Sequence, residues 1–330
     1  MQRLRLDTFT LALLCAVALA SLLPVQGATA TAFEWITYAA ISLLFFLHGA
    51  RLSRNAIVAG AMHWRLHGLV FACTFVLFPL LGLALAPVLR PLLGSELWTG
   101  MLFLCALPGT VQSAIAFTSM ARGNIPAAVC SASASSLVGI VVTPLLVGLL
   151  MGTQATGAPF GEAVLKISVQ LLLPFLAGHL SRPWTGAWVQ RHQRWLKLVD
   201  QGSILLVVYT AFSAAVIRGL WDAIPPAALA VLTVVCCVLL GLVLCATTLL
   251  SRMLGFDTED EIAIVFCGSK KSLATGVPMA QILFAGGGAG AVILPVMLFH
   301  QIQLMVCAVL AQRYARRPAT ADAAAALTRP

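Results

Sequence analysis

The chain reads as apolar runs of about 20 residues separated by short polar turns, and this pattern constrains its fold more than any other feature. About 20 residues at ~1.5 Å rise cross the ~30 Å hydrocarbon layer of a bilayer. Ten such runs can be picked out, at roughly 7–24, 31–50, 67–87, 97–121, 125–151, 163–180, 203–220, 227–250, 262–284 and 289–311. Composition agrees, with 60% hydrophobic and 9% charged residues and no soluble domain of useful size left over. The expected fold is an all-α polytopic membrane protein with ten transmembrane helices. Arg3 and Arg5 before the first run and Ala28-Thr29-Ala30 after it imitate a secretory signal. Cleavage there would leave nine spans, so the run is read as a retained helix.

Net charge is +9, but the basic residues sit singly or in small groups between spans rather than in one stripe, which argues topology rather than nucleic-acid binding. With the N-terminus inside, the inner segments carry Arg51, Arg54, Arg65, Arg122, Arg182, Arg191, Arg194, Lys197, Arg252 and Arg313, against Arg90 and Arg218 outside. The positive-inside rule then puts both termini in the cytoplasm of a multi-pass cell-membrane protein, an inner membrane if the cell is bacterial. Lys166, near a helix start, is expected to snorkel. The nine cysteines and six histidines show no metal-type spacing, so neither disulfides nor a cofactor is expected.

Lys270 and Lys271 do not fit the topological account. They lie near the middle of the ninth run, where each costs about 2.5–3.5 kcal/mol on insertion scales and lies too deep to snorkel. Each of the eleven acids maps to a span end or a loop, so no carboxylate stands at that depth to neutralise them. Either the ammonium groups lose their protons or an anion arrives as partner.

Ten spans divide into two sets of five, and the odd number makes the sets inverted repeats: 1–152 for the first, 153–317 for the second, with 318–330 as a disordered tail. Core and panel domains would each draw on both repeats. Gly109-Thr110-Val111-Gln112-Ser113 in the fourth run and Gly268-Ser269-Lys270-Lys271-Ser272 in the ninth share glycine, hydroxyl, two variable residues and serine at equivalent positions. Pro108 cannot donate a helical hydrogen bond and Gly109 relaxes the backbone beside it, so a break is expected there, with Thr110 and Ser113 capping the restarted helix. Gly268 marks the matching break without a proline. Gly286, Gly287 and Gly288 form an outside turn, and the small residues from Cys130 to Gly139 read as close helix packing.

The segments PGTVQSAIAFTSMARGN (108–124), FCGSKKSLATGVPMAQ (266–281) and FFLHG (45–49) resemble the bile acid:sodium symporter superfamily, in the branch of the seventh vertebrate bile acid cotransporter and its bacterial relatives. The resemblance covers essentially the whole chain. It implies a panel and a core domain, with unwound helices four and nine crossing beside a substrate cavity. Where sodium-coupled members carry side-chain ligands, this chain has Ala114, Val265, Ser269, Lys270 and Thr74, while Ser113 is kept.

The expected function is secondary transport, not enzymatic catalysis. A small organic anion would be moved by alternating access, bound near Thr74, Thr110, Gln112, Ser113, Ser269, Lys270, Lys271 and Ser272. Coupling would run through sodium on hydroxyls such as Thr110 and Ser113 and on freed carbonyls, or through protons on a lysine. A membrane regulator that keeps the fold without transporting is the alternative.

Overall fold

The computed structural model describes residues 8–51, 63–151, 165, 168–284 and 288–317. Lys166, Gly286, Gly287 and the tail 318–330 lie outside them. The described residues are helical almost throughout, and no strand occurs among them. In chain order the helices are α1 (Thr8–Leu22), α2 (Gly27–Arg51), α3 (Trp64–Ala72), α4 (Phe78–Ala106), α5 (Gln112–Met120), α6 (Ile125–Met151), α7 (Leu173–Arg191), α8 (Gln193–Ile217), α9 (Leu220–Ala223), α10 (Pro226–Met253), α11 (Thr258–Gly268), α12 (Leu273–Leu283) and α13 (Ala289–Ala315). A single π-turn, Cys73–Leu77, joins α3 to α4 without interruption, and another, Ser168–Leu172, precedes α7. Gly94 has φ 73°, which only glycine adopts without strain, and divides α4 into two helices.

Among the described residues, six helical segments are long and apolar enough to cross a membrane, the longest being Trp64–Ala106. The surface is that of a membrane protein. Leu22 and Leu149 are 79% exposed, whereas Lys270 and Lys271 are 0% and 1% exposed. Burial in water would favour the reverse. Exposed Trp64, Trp188 and Trp195 stand at or near helix ends, the level at which indoles anchor to a bilayer interface.

The helices pack in two groups. In one, α2 lies along α7 and α8, and α8 lies along α1. Gly49 and Gly178 make the closest approach possible: a Cβ on Gly49 would run into the Phe175 carbonyl, and one on Gly178 into the Phe46 carbonyl. In the other group α11 is enclosed by α3, α5, α6 and α10, while α13 lies against α4, α8, α10 and α12, and α12 also lies against α8, so α8 joins the two groups. Phe78, Leu104 and Phe299 of this group and Ile41 and Phe212 of the first belong to one continuous apolar core.

Both expected breaks are present. The chain leaves helical geometry at 107–111, between α4 and α5, and at 269–272, between α11 and α12. The break after Gly268 needs no proline. Ser269 still continues the last turn of α11, and Ser272 is extended, with its side chain accepting the Thr275 N–H at 3.2 Å to start α12. The small-residue face of α6 packs as expected: Gly139 admits the Pro108 ring, and Ser135 Oγ accepts the Gly109 N–H at 3.2 Å.

Candidate functional site

The site is built from backbone carbonyls that lose their helical donors. In the π-turn the Phe78 N–H reaches back to the Cys73 carbonyl instead of the Thr74 carbonyl. The next residue, Pro79, has no N–H to offer, so Thr74 keeps a free acceptor inside the protein. A similar shortage arises at the end of α4. The last carbonyls of a helix lack intrahelical partners; here Pro108 donates nothing and the Gly109 N–H is taken by Ser135. The Cys105 and Leu107 carbonyls are left facing the same point.

Lys271 fills that point. Its Nζ donates to the carbonyls of Thr74 at 2.7 Å, Cys105 at 2.9 Å and Leu107 at 2.7 Å, which uses all three ammonium protons. The Phe78 ring centroid lies 4.0 Å from the same nitrogen. Gln303 of α13 fixes the backbone of the residue, its Oε1 accepting the Lys271 N–H and its Nε2 donating to the Lys271 carbonyl, both at 2.9 Å.

Lys270 is held differently. Its Nζ donates to one carbonyl, that of Ser113, at 2.9 Å, and otherwise faces the rings of Phe117 at 4.0 Å and Phe266 at 5.2 Å. Neither lysine forms an ion pair with an acid among the described residues.

The remaining predicted residues distribute around these two. The breaks are joined directly, since the Ser272 N–H donates to the Pro108 carbonyl at 2.9 Å. Gly109 eases the crossing: a Cβ there would stand 3.1 Å from the Cys267 carbonyl oxygen, a tight contact. Gly268 is likewise a packing glycine, lying against Cys73 and Thr247. Ser269 donates its hydroxyl to Val265 within its own helix, and the Thr74 hydroxyl does the same to Val70. Thr74 therefore contributes its carbonyl, not its side chain. The capping expected of Thr110 and Ser113 is not found: the Ser113 hydroxyl bonds to the Thr110 hydroxyl at 2.8 Å, and α5 starts at Val111 without a side-chain cap. Two adjacent hydroxyls satisfy each other at no cost to the backbone, which explains the difference.

Gln112 points away from the lysines. It is exposed and lines a cleft of about 420 Å³ between the start of α5 and the ends of α2, α7 and α8, together with Arg51, Arg182, Gln190, Gln193 and Lys197. Arg51 is paired with the buried Asp200. The side chains of Arg182 and Lys197 make no hydrogen bond or ion pair among the described residues, so the described lining of the cleft is net positive. Sequence reasoning assigned both to membrane topology; the density of basic residues between 182 and 197 was the available signal. Gln303, Phe78 and Phe117 were missed as well, because a buried amide and three carbonyls have no pattern along the chain.

The chain is 67% identical over 321 residues to the Pseudomonas aeruginosa protein PA2026, covering 97% of this chain and 96% of that one. It is 58% identical over 312 residues to the Escherichia coli protein YfeH, with 94% of each covered. Sodium/bile acid cotransporter 7 of Xenopus tropicalis is 29% identical over 321 residues, 94% of this chain and 92% of that protein. The profile of the SBF-like CPA transporter family matches residues 7–316, so the chain belongs to that family of membrane transporters.

Proposed function

We propose that the protein is a secondary transporter of a small organic anion, working by alternating access in ten spans arranged as two inverted repeats, with both termini cytoplasmic. The observation that carries the substrate class is the basic cleft. It is bounded by Gln112, the residue that follows the 107–111 break, and on its other wall by the free charges of Arg182 and Lys197. An anion entering there would be bound between the helix group that carries the breaks and the group that carries α2, α7 and α8. Relative motion of the two groups would open and close that cleft.

The two lysines take different roles in this reading. Three carbonyls around one point make a cation site of the kind that replaces a hydration shell. Lys271 provides the cation itself, so the crossing is held without sodium at that position. Lys270, with one acceptor and two ring faces, lies beneath Ser113 and Thr110 and supplies positive potential toward the substrate path. Coupling through sodium on the Thr110 and Ser113 hydroxyls or through protons on Lys270 is compatible with this arrangement.

Uptake of carboxylate and sulfate-bearing solutes into proteoliposomes tests the reading. Arg182→Gln with Lys197→Gln is expected to raise the half-saturating anion concentration about tenfold or more while the protein stays folded, as loss of a charge-assisted contact does. Unchanged uptake by that double variant, or absence of anion flux under every gradient of sodium and pH, would sink it.

A further inference from the structure

Helices α10 and α13 pack along each other but leave a lengthwise groove of about 720 Å³, with walls of Leu244, Leu249, Met305, Val306 and Val309. Where the two helices end, the groove runs into a second cavity of about 760 Å³ that holds Arg252, Arg313, Arg317, Glu261 and Tyr314. Thr248, Leu310 and Arg313 line both, so they form one continuous feature, apolar along its length and basic at its mouth.

The charges at the mouth do not cancel. Glu261 accepts two hydrogen bonds from Arg252, at 2.8 and 3.1 Å, and one from the Tyr314 hydroxyl at 2.7 Å, which accounts for one arginine. Arg317 donates to the carbonyls of Ala121 and Arg122, which orient the guanidinium, and it shares the field of the single carboxylate Glu261 with Arg252. The Arg313 side chain makes no hydrogen bond or ion pair among the described residues. Two positive charges are thus held at helix ends, at the level where a bilayer presents its headgroups. A second groove, between α4 and α10, provides the contrast. It measures about 440 Å³ and its lining carries no charged residue, so lipid tails of any kind would fill it.

An apolar slot that ends on an excess of guanidinium charge over carboxylate fits a molecule that is an acyl chain at one end and an anion at the other. We propose that the groove between α10 and α13 is a specific site for an anionic phospholipid. Its acyl chain would lie along Leu249, Val306 and Val309, and its phosphate would be held by Arg313 and Arg317. Guanidinium donors match phosphate oxygens in pairs, so the head adds selectivity that the groove alone lacks. Since Glu261 belongs to α11, the helix that leads into the 269–272 break, an occupied site ties the ends of α10 and α13 to the element that carries both lysines.

Native mass spectrometry on the purified, delipidated full chain tests this, with phosphatidylglycerol and phosphatidylcholine of identical acyl composition added back. Phosphatidylglycerol is expected to be retained at low molar ratio and to raise the melting temperature, and phosphatidylcholine to do neither. Arg313→Gln should weaken phosphatidylglycerol retention about tenfold, Arg313→Lys by less, and Val309→Trp should abolish it with every arginine in place. Arg313 and Val309 are surface positions, and a monodisperse, correctly melting variant confirms the fold before binding is measured. Equal retention of the two lipids, indifference to Arg313→Gln, or stabilisation by inorganic phosphate or glycerol phosphate as strong as that by the lipid would each overturn the assignment.

Discussion

At the level of single residues, the two adjacent lysines are unequal despite sharing depth and chemistry. Lys271→Met strands three carbonyls in the buried interior. At ~1 kcal/mol or more for each orphaned acceptor it should destabilise by about 3 kcal/mol or more. Lys270→Met strands one carbonyl and should cost about 1 kcal/mol. Thermal melts of the two variants in detergent check this, and a Lys270→Met variant as unstable as Lys271→Met would contradict it. Gln303→Leu removes both bonds to the Lys271 backbone and is expected to cost about 2 kcal/mol by the same measurement. The lysines themselves were legible in the sequence, because a charge amid apolar residues stands out. Their partners were not. A carbonyl belongs to every residue, and which ones are free depends on Pro79, Pro108 and Ser135 meeting in three dimensions.

Among elements, the π-turn of Cys73–Leu77 is a device for presenting one acceptor, and it depends on a proline. Removing a proline from a helix ordinarily stabilises it. Pro79→Ala should here do the opposite, since the new N–H competes with Lys271 for the Thr74 carbonyl. In a Lys271→Met background the same substitution should become stabilising, because it rescues that carbonyl. A double-mutant cycle on melting temperatures gives the answer through the change of sign. The contact of α2 with α7 makes a simpler case: Gly49→Ala or Gly178→Ala would push a methyl into the facing backbone. Each should lower the melting temperature, whereas Gly202→Ala, with nothing near its Cβ, should not. Proline and glycine at 108–109 made one break readable in advance. The other, at 269–272, was signalled only by Gly268 and its repeat position, as its geometry comes from Ser272 capping α12 and bonding back to Pro108.

For the molecule as a whole, the basic cleft lies between α5 and the ends of α2, α7 and α8, and the alternating access proposed above requires those walls to separate. In a cysteine-free background, Gln112→Cys with Gln190→Cys bridged by a bifunctional thiol reagent should arrest anion uptake, and reductive cleavage of the linker should restore it. Uptake that persists through full cross-linking would mean the two walls do not separate. The hydrophobic runs made the helical membrane class plain, since length and apolarity are properties of a stretch. Of the cleft, only the basic density along α7 and α8 was legible, since α2 and α5, which complete its walls, lie far from them in the chain. The Lys271 arrangement also bears on biosynthesis. The ammonium donor is 197 residues downstream of Thr74 and 164 downstream of Leu107, so a ribosome delivers the acceptors long before the group that satisfies them. The first half of the protein must wait in the bilayer with its last tie unmade, and a chain truncated before residue 271 should be recognised by quality-control proteases as unfinished.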